Sequence, residues 1–160
     1  MKCFLAIGVL LLCLLTSQIA RADEKRNAQI KAEMVENYLL CQEAYKLRDA
    51  ERIISFESPD YIEVADTGEV FEKSYADKLT RFEMDNLHKV YYARVEIKKM
   101  TIESNRIVII GRKVLDADRI MLDKRISRVS VSISSRDIWV RYDNSWMLKR
   151  VEGIDWKADF

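Results

Sequence analysis

Apolar and polar positions follow two rhythms along this chain, and the change between them separates a helical first part from a sheet-forming second part. Over residues 27–46, Ile30, Met34, Tyr38, Cys41 and Tyr45 recur at steps of three and four. Lys31, Glu33, Glu36 and Glu43 fall on the other side, which predicts an amphipathic helix. Leu47-Arg48-Asp49 breaks the phase. Asp49 is then placed to cap a short second helix over residues 50–56, with Ile53, Ile54 and Phe56 turned inward and Pro59 expected to end it. Residues 61–64 alternate like a strand, and Asp66-Thr67-Gly68 reads as a turn because glycine takes a positive φ freely. A partner strand is expected at residues 69–71. A third helix then opens at Ser74, with Asp77 three residues on as in a capping box and Tyr75, Leu79 and Phe82 as its apolar stripe.

From residue 90 the period shortens to two. Tyr91, Ala93, Val95 and Ile97 alternate with Tyr92, Arg94 and Glu96, as a strand with one buried face requires. Ser104-Asn105 marks a turn, residues 107–115 a more continuously apolar strand, and residues 116–124 either a loop or a ragged strand end. Residues 127–142 form a long β stretch, with Val129, Val131 and Ile133 set against Ser130, Ser132 and Ser134. Tyr142-Asp143-Asn144-Ser145 predicts a hairpin turn and residues 146–152 a last strand. Helices first and a run of antiparallel strands after them argue for an α+β domain.

The start of the chain changes this picture. Lys2, then an apolar run of about 13 residues from Cys3 to Leu15, falls short of the roughly 20 that a membrane helix needs. Ala20-Arg21-Ala22 supplies the small-x-small pattern of a cleavage site, so residues 1–22 read as a signal peptide and residues 23–160 as one exported domain, periplasmic or secreted. No later stretch reads as a membrane span. Removing Lys2 and Arg21 from the 27 basic residues leaves 25 against 26 acidic ones. Such a near-neutral domain without a basic run is a poor match for nucleic acid or an anionic membrane. Cys41 is the one cysteine of the expected mature chain and lies in the helical stripe, which suits a buried structural thiol. His88 is the one histidine, so no metal-ligand spacing is present and no cofactor is expected.

Tyr45-Lys46-Leu47-Arg48-Asp49, Ser58-Pro59-Asp60-Tyr61 and the Thr67-Gly68 turn resemble the opening of SnoaL-like and DUF4440 members of the nuclear transport factor 2-like (NTF2-like, cystatin-like) superfamily. Arg136-Asp137-Ile138-Trp139-Val140-Arg141 and Ser145-Trp146-Met147-Leu148 are similar to their two closing strands. The resemblance covers the expected mature domain and implies a cone, a strongly curved antiparallel sheet wrapped around the long N-terminal helix, with a pocket at the wide end. It also implies pairing of two copies through the outer sheet face, residues 127–141. Some relatives are isomerases, dehydratases or cyclases with an Asp or His in the pocket, and others only bind. No catalytic motif of the family matches this chain residue by residue, and a fold alone licenses no reaction.

Candidate chemistry is therefore weighed residue by residue. Asp137 shares a strand face with Trp139 and Arg141, so it is either a general base or one half of an ion pair in which Arg141 would hold its pKa down. His88, at the junction of helix and sheet, is the other candidate base. Tyr38, Tyr61, Tyr91 and Trp139 are the aromatics expected near a pocket, and Glu63 shares a face with Tyr61 at its mouth. Trp146 and Trp156 are assigned to packing, and Arg125, Arg128, Arg136 and Arg141 to a solvated face. Two classes follow: a non-catalytic module binding a small apolar or aromatic ligand or a partner protein, and an enzyme using Asp137 or His88. The missing reactive set favours the first.

Overall fold

The computed structural model describes residues 2–159, with side chains described for residues 21–158. Most of the expected leader therefore lies outside the described side chains. The chain divides into two compact units, Met1–Glu36 and Asn37–Phe160. Helix α1 (Lys2–Leu47) starts well before the expected residue 27, because neither glycine nor proline interrupts the chain between Val9 and Leu47. Among the described residues, no helix is long and apolar enough to cross a membrane.

The second unit contains the C-terminal part of α1, helix α2 (Ala50–Ile54), helix α3 (Lys73–Asn86) and six strands: β1 (Glu57–Val64), β2 (Val70–Glu72), β3 (Leu87–Ile102), β4 (Arg106–Ile120), β5 (Ile126–Tyr142) and β6 (Ser145–Asp159). The strand order is β2-β1-β6-β5-β4-β3. All neighbours are antiparallel except β1 and β6, which run parallel, a departure from the purely antiparallel expectation. The reason lies in connectivity. Strand β1 follows a helix rather than a hairpin, so its direction is not tied to that of its neighbour.

Local chemistry explains most boundaries. The Asp49 carboxylate accepts from the Arg52 amide at 3.0 Å and so caps α2. Pro59 does not end a helix but lies inside β1, where the pairing with β6 is irregular between Glu57 and Ile62 and a missing N–H costs little. The capping box at Ser74 does not form. Glu72 precedes α3 without a side-chain bond, and Asp77 instead accepts from Lys73 at 3.0 Å. The stripe of Tyr75, Leu79 and Phe82 stays partly exposed while Ala76 and Met84 are buried, and Tyr75 stacks on Phe71. Residues 116–120 complete β4, and the chain then reverses through Lys124 at φ 64°. Gly68 takes φ 87° in the β1–β2 turn, as its sequence context predicts.

Curvature comes from breaks in register. The β5–β6 ladder shifts between Ser134 and Ser135 and again between Ile138 and Trp139, and β3 shifts against β4 at three places. Each added residue bends its strand and strengthens the twist. Gly153 stands at one of these shifts, where a Cβ would come within 3.0 Å of the Asp66 amide nitrogen. Its lack of a side chain lets β6 pass beneath the β1–β2 turn.

Candidate functional site

The curved sheet, the end of α1, α2 and α3 enclose a cavity of about 450 Å³, within the usual range of small-molecule sites. Tyr38, Cys41 and Tyr45 reach it from α1, Tyr61 and Glu63 from β1, and Leu79 and Glu83 from α3. Strand β4 contributes Lys113, and β5 contributes Val131, Ile133, Asp137 and Trp139. The β5 residues are spaced by two and four, so one face of that strand supplies a whole wall.

Asp137 is 1 % exposed and fully engaged. The Tyr38 hydroxyl donates to its Oδ2 at 2.6 Å, the Ser135 hydroxyl to its Oδ1 at 2.8 Å, and the Lys113 ammonium to Oδ1 at 3.1 Å. Trp139 Nε1 donates in turn to the Tyr38 hydroxyl at 3.2 Å, while the two rings meet edge to face at 5.6 Å. Burial and the negative charge of Asp137 push the Tyr38 phenol far above its usual range, so it stays a donor. A charge buried this deeply survives only with such partners. The group is thus a polar clamp that ties α1 to β4 and β5. Its carboxylate is committed, which makes it a poor general base.

The other acids behave differently. Glu57 is buried at the start of β1 and accepts from Lys73 at 2.9 Å, yet Lys73 is shared with Asp77. Burial outweighs that partner and raises the Glu57 carboxyl to about 7. Glu63 is raised by burial, against the pull of Lys113 and with a further push from Asp137. Glu83 is likewise raised by burial, offset by Arg119 and reinforced by Glu63. Neither Glu63 nor Glu83 makes a hydrogen bond or ion pair among the described residues. Beside them, Tyr45 is raised first by the charge of Glu83 and Tyr61 first by burial. Burial lifts the Cys41 thiol to about 11, so it is not a ready nucleophile.

No protein-family model matches the chain, and comparison with curated proteins gives no match. Solved structures do match. An NTF2-like protein from Cytophaga hutchinsonii superposes with a TM-score of 0.61 at 10 % identity, covering 77 % of this chain and 95 % of that one. The chain has the nuclear transport factor 2-like fold. A conserved protein from Planctomyces limnophilus gives a TM-score of 0.67 at 11 % identity over 78 % and 94 % of the two chains. A hexachlorocyclohexane dehydrochlorinase from Novosphingobium barchaimii gives 0.64 at 13 % identity over 86 % and 91 %. At such identities the likeness is one of fold.

Within this NTF2-like fold, Tyr38, Tyr61, Glu63, Asp137 and Trp139 all line the one cavity. Tyr91 does not. A register shift between Val90 and Tyr92 interrupts the alternation that would have turned it inward. Tyr91 is 44 % exposed, lies 3.6 Å from the Arg128 guanidinium and donates to Asp118 at 2.7 Å. His88 is also exposed on β3 and away from the cavity, its carbonyl accepting from Arg48 at 3.3 Å. Arg141 is not the partner of Asp137. It lies at the hairpin end, four residues and about 13 Å along the strand, with its guanidinium over the Trp146 ring at 5.8 Å. Trp146 is buried as assigned, but Trp156 is 52 % exposed at the cavity rim. Sequence reasoning missed Lys113, Ser135, Glu57 and Glu83. Ser135 alone carried a signal, being two residues from Asp137 on one strand face.

Proposed function

We propose that the chain is an exported, SnoaL-like binding domain that holds a small organic molecule in its cavity without transforming it. The cavity itself carries this reading: about 450 Å³, walled by Tyr38, Tyr45, Tyr61 and Trp139 beside the aliphatic face of β5. Flat rings stack there, and a few fixed polar groups orient them. The enzymatic alternative needs a free base. Asp137 is bound by three donors and His88 lies elsewhere, so an enzyme would have to use Glu57, Glu63 or Glu83, whose carboxyls burial raises. Native mass spectrometry of the purified protein against a library of small organics tests the reading. Ligands should be retained one per chain and lost in Tyr61→Ala and in the cavity-filling Ala93→Trp, both folded by circular dichroism. Retention unchanged in both variants would contradict it.

Export and assembly belong to the same proposal. Intact-mass measurement on protein from an exporting host should show Asp23 as the first residue, and a mass that keeps residues 1–15 would overturn this. Two copies pairing through the outer face of β5 should scatter light as a dimer at micromolar concentration, and a monomer would remove that part.

A further inference from the structure

We propose that the cavity's ligand carries a positive charge, a protonated amine or quaternary ammonium seated against Glu63 and Glu83 with the Tyr61 and Tyr45 rings beside it. This rests on the cavity being a ligand site and names the chemistry it selects. Of the acids around the cavity, Asp137 is paired with Lys113, Glu57 with a Lys73 that it shares with Asp77, and Asp66 is exposed to solvent. Glu63 on β1 and Glu83 on α3 face the same space with no ion pair or hydrogen bond among the described residues, and each feels the repulsion of another acid. Two part-buried acids lining one cavity, one feeling the charge of the other, are costly alone, and a cation between them lowers the cost.

An independent observation comes from Tyr61. It is 4 % exposed, and its hydroxyl makes no hydrogen bond among the described residues. The one sealed and unpartnered side-chain polar atom among them is Trp146 Nε1, so the Tyr61 hydroxyl opens on the cavity. It offers an acceptor lone pair to an ammonium N–H, and its ring already has the Lys73 ammonium at 5.9 Å from its centroid. An aromatic wall plus two acids is how proteins hold organic cations. An anion would meet Glu63 and Glu83, with Lys113 already held by Asp137, Arg119 behind Glu83, and Arg94 on β3 largely exposed and 3.9 Å from Glu96.

The expected pH dependence follows. The charges and hydroxyls that bear on Glu63 are those of Lys113, Asp137 and Tyr61, and those on Glu83 are Arg119, Glu63 and Tyr45. Since burial raises both carboxyls above 4.5, amine affinity should begin to fall at a higher pH than for ordinary carboxylates as the medium is acidified. Calorimetry on the purified protein uses three probes of one shape: 4-phenylbutylamine, 4-phenylbutanol and 4-phenylbutyrate. The amine should bind about tenfold or more tighter than the alcohol, and the anion more weakly than either. Glu63→Gln and Glu83→Gln should each cut amine affinity about tenfold while leaving the alcohol unchanged. Equal binding of amine and alcohol, or preference for the anion, overturns the inference and leaves the cavity reading standing. Failure of all three probes also overturns it, whereas the cavity reading falls only with the library screen.

Discussion

Two groups of acids meet in this cavity, and the fold treats them in opposite ways. Asp137 is spanned by donors from α1, β4 and its own strand, so its charge is spent on joining elements. Glu63 and Glu83 are also partly withdrawn from water, but Lys113 and Arg119 act on them only at a distance, with no hydrogen bond or ion pair among the described residues. Glu57 lies between the two cases, with a partner that it must share. The contrast teaches where structure ends and function begins. A buried charge with a full set of partners stabilises the fold, while one without them is a standing cost that folding alone does not explain.

Substitutions that test the contrast differ in size. Asp137→Ala should be the most damaging, because it leaves the Lys113 ammonium and the Tyr38 hydroxyl without their acceptor. A loss of about 3 kcal/mol by urea denaturation is expected, the low end for a broken buried pair because Lys113 keeps some contact with water. A loss below about 1 kcal/mol would show that the clamp is not structural. Glu57 comes next. It ionises near 4.5 in the unfolded chain and near 7 in the folded one, so the native state holds the proton more tightly. Its contribution to stability is complete below pH 4.5 and is lost as pH rises through 7. Glu57→Gln should abolish that decline, which the shift from 4.5 to about 7 sets at about 3 kcal/mol and partial solvent screening reduces to about 2. Chemical denaturation of both proteins across this range checks it, and parallel profiles would refute the assignment.

Smaller effects sharpen the same point. Tyr38→Phe keeps the ring against Trp139 but removes one donor to Asp137 and the acceptor of Trp139 Nε1, and should cost about 1–2 kcal/mol in denaturant midpoint analysis. Glu63→Gln should have the least effect on the empty protein, within about 0.5 kcal/mol or slightly stabilising, since it removes a charge that has no partner. A large loss there would mean that Glu63 belongs with Asp137 after all.

Much of the fold was legible because it is written in periodicity. The phase break at Leu47-Arg48-Asp49, the Asp49 cap, the Gly68 turn and the alternation of β5 all rest on spacing within a few residues. What was not legible depends on register between distant segments. Lys113 and Asp137 are 24 positions apart, and Tyr38 and Asp137 are 99 apart. No local pattern marks such pairs. The misplacement of Tyr91 has the same origin, since a register shift reverses a face without altering the polarity pattern. Glu83 was hidden for another reason. It stands beside the apolar stripe of α3, where an acid reads as solvated surface until the sheet opposite closes over it.

The most direct test of the cavity reading places a ligand from the library screen by NMR on methyl-labelled protein. Ala93, Val95, Val131 and Ile133 line the cavity, whereas Ile107 and Val129 are buried outside it. On titration, the first four should shift together and saturate at one ligand per chain while the other two hold still. Shifts confined to residues outside the cavity, or a bound ligand that leaves all four unmoved, would contradict the account.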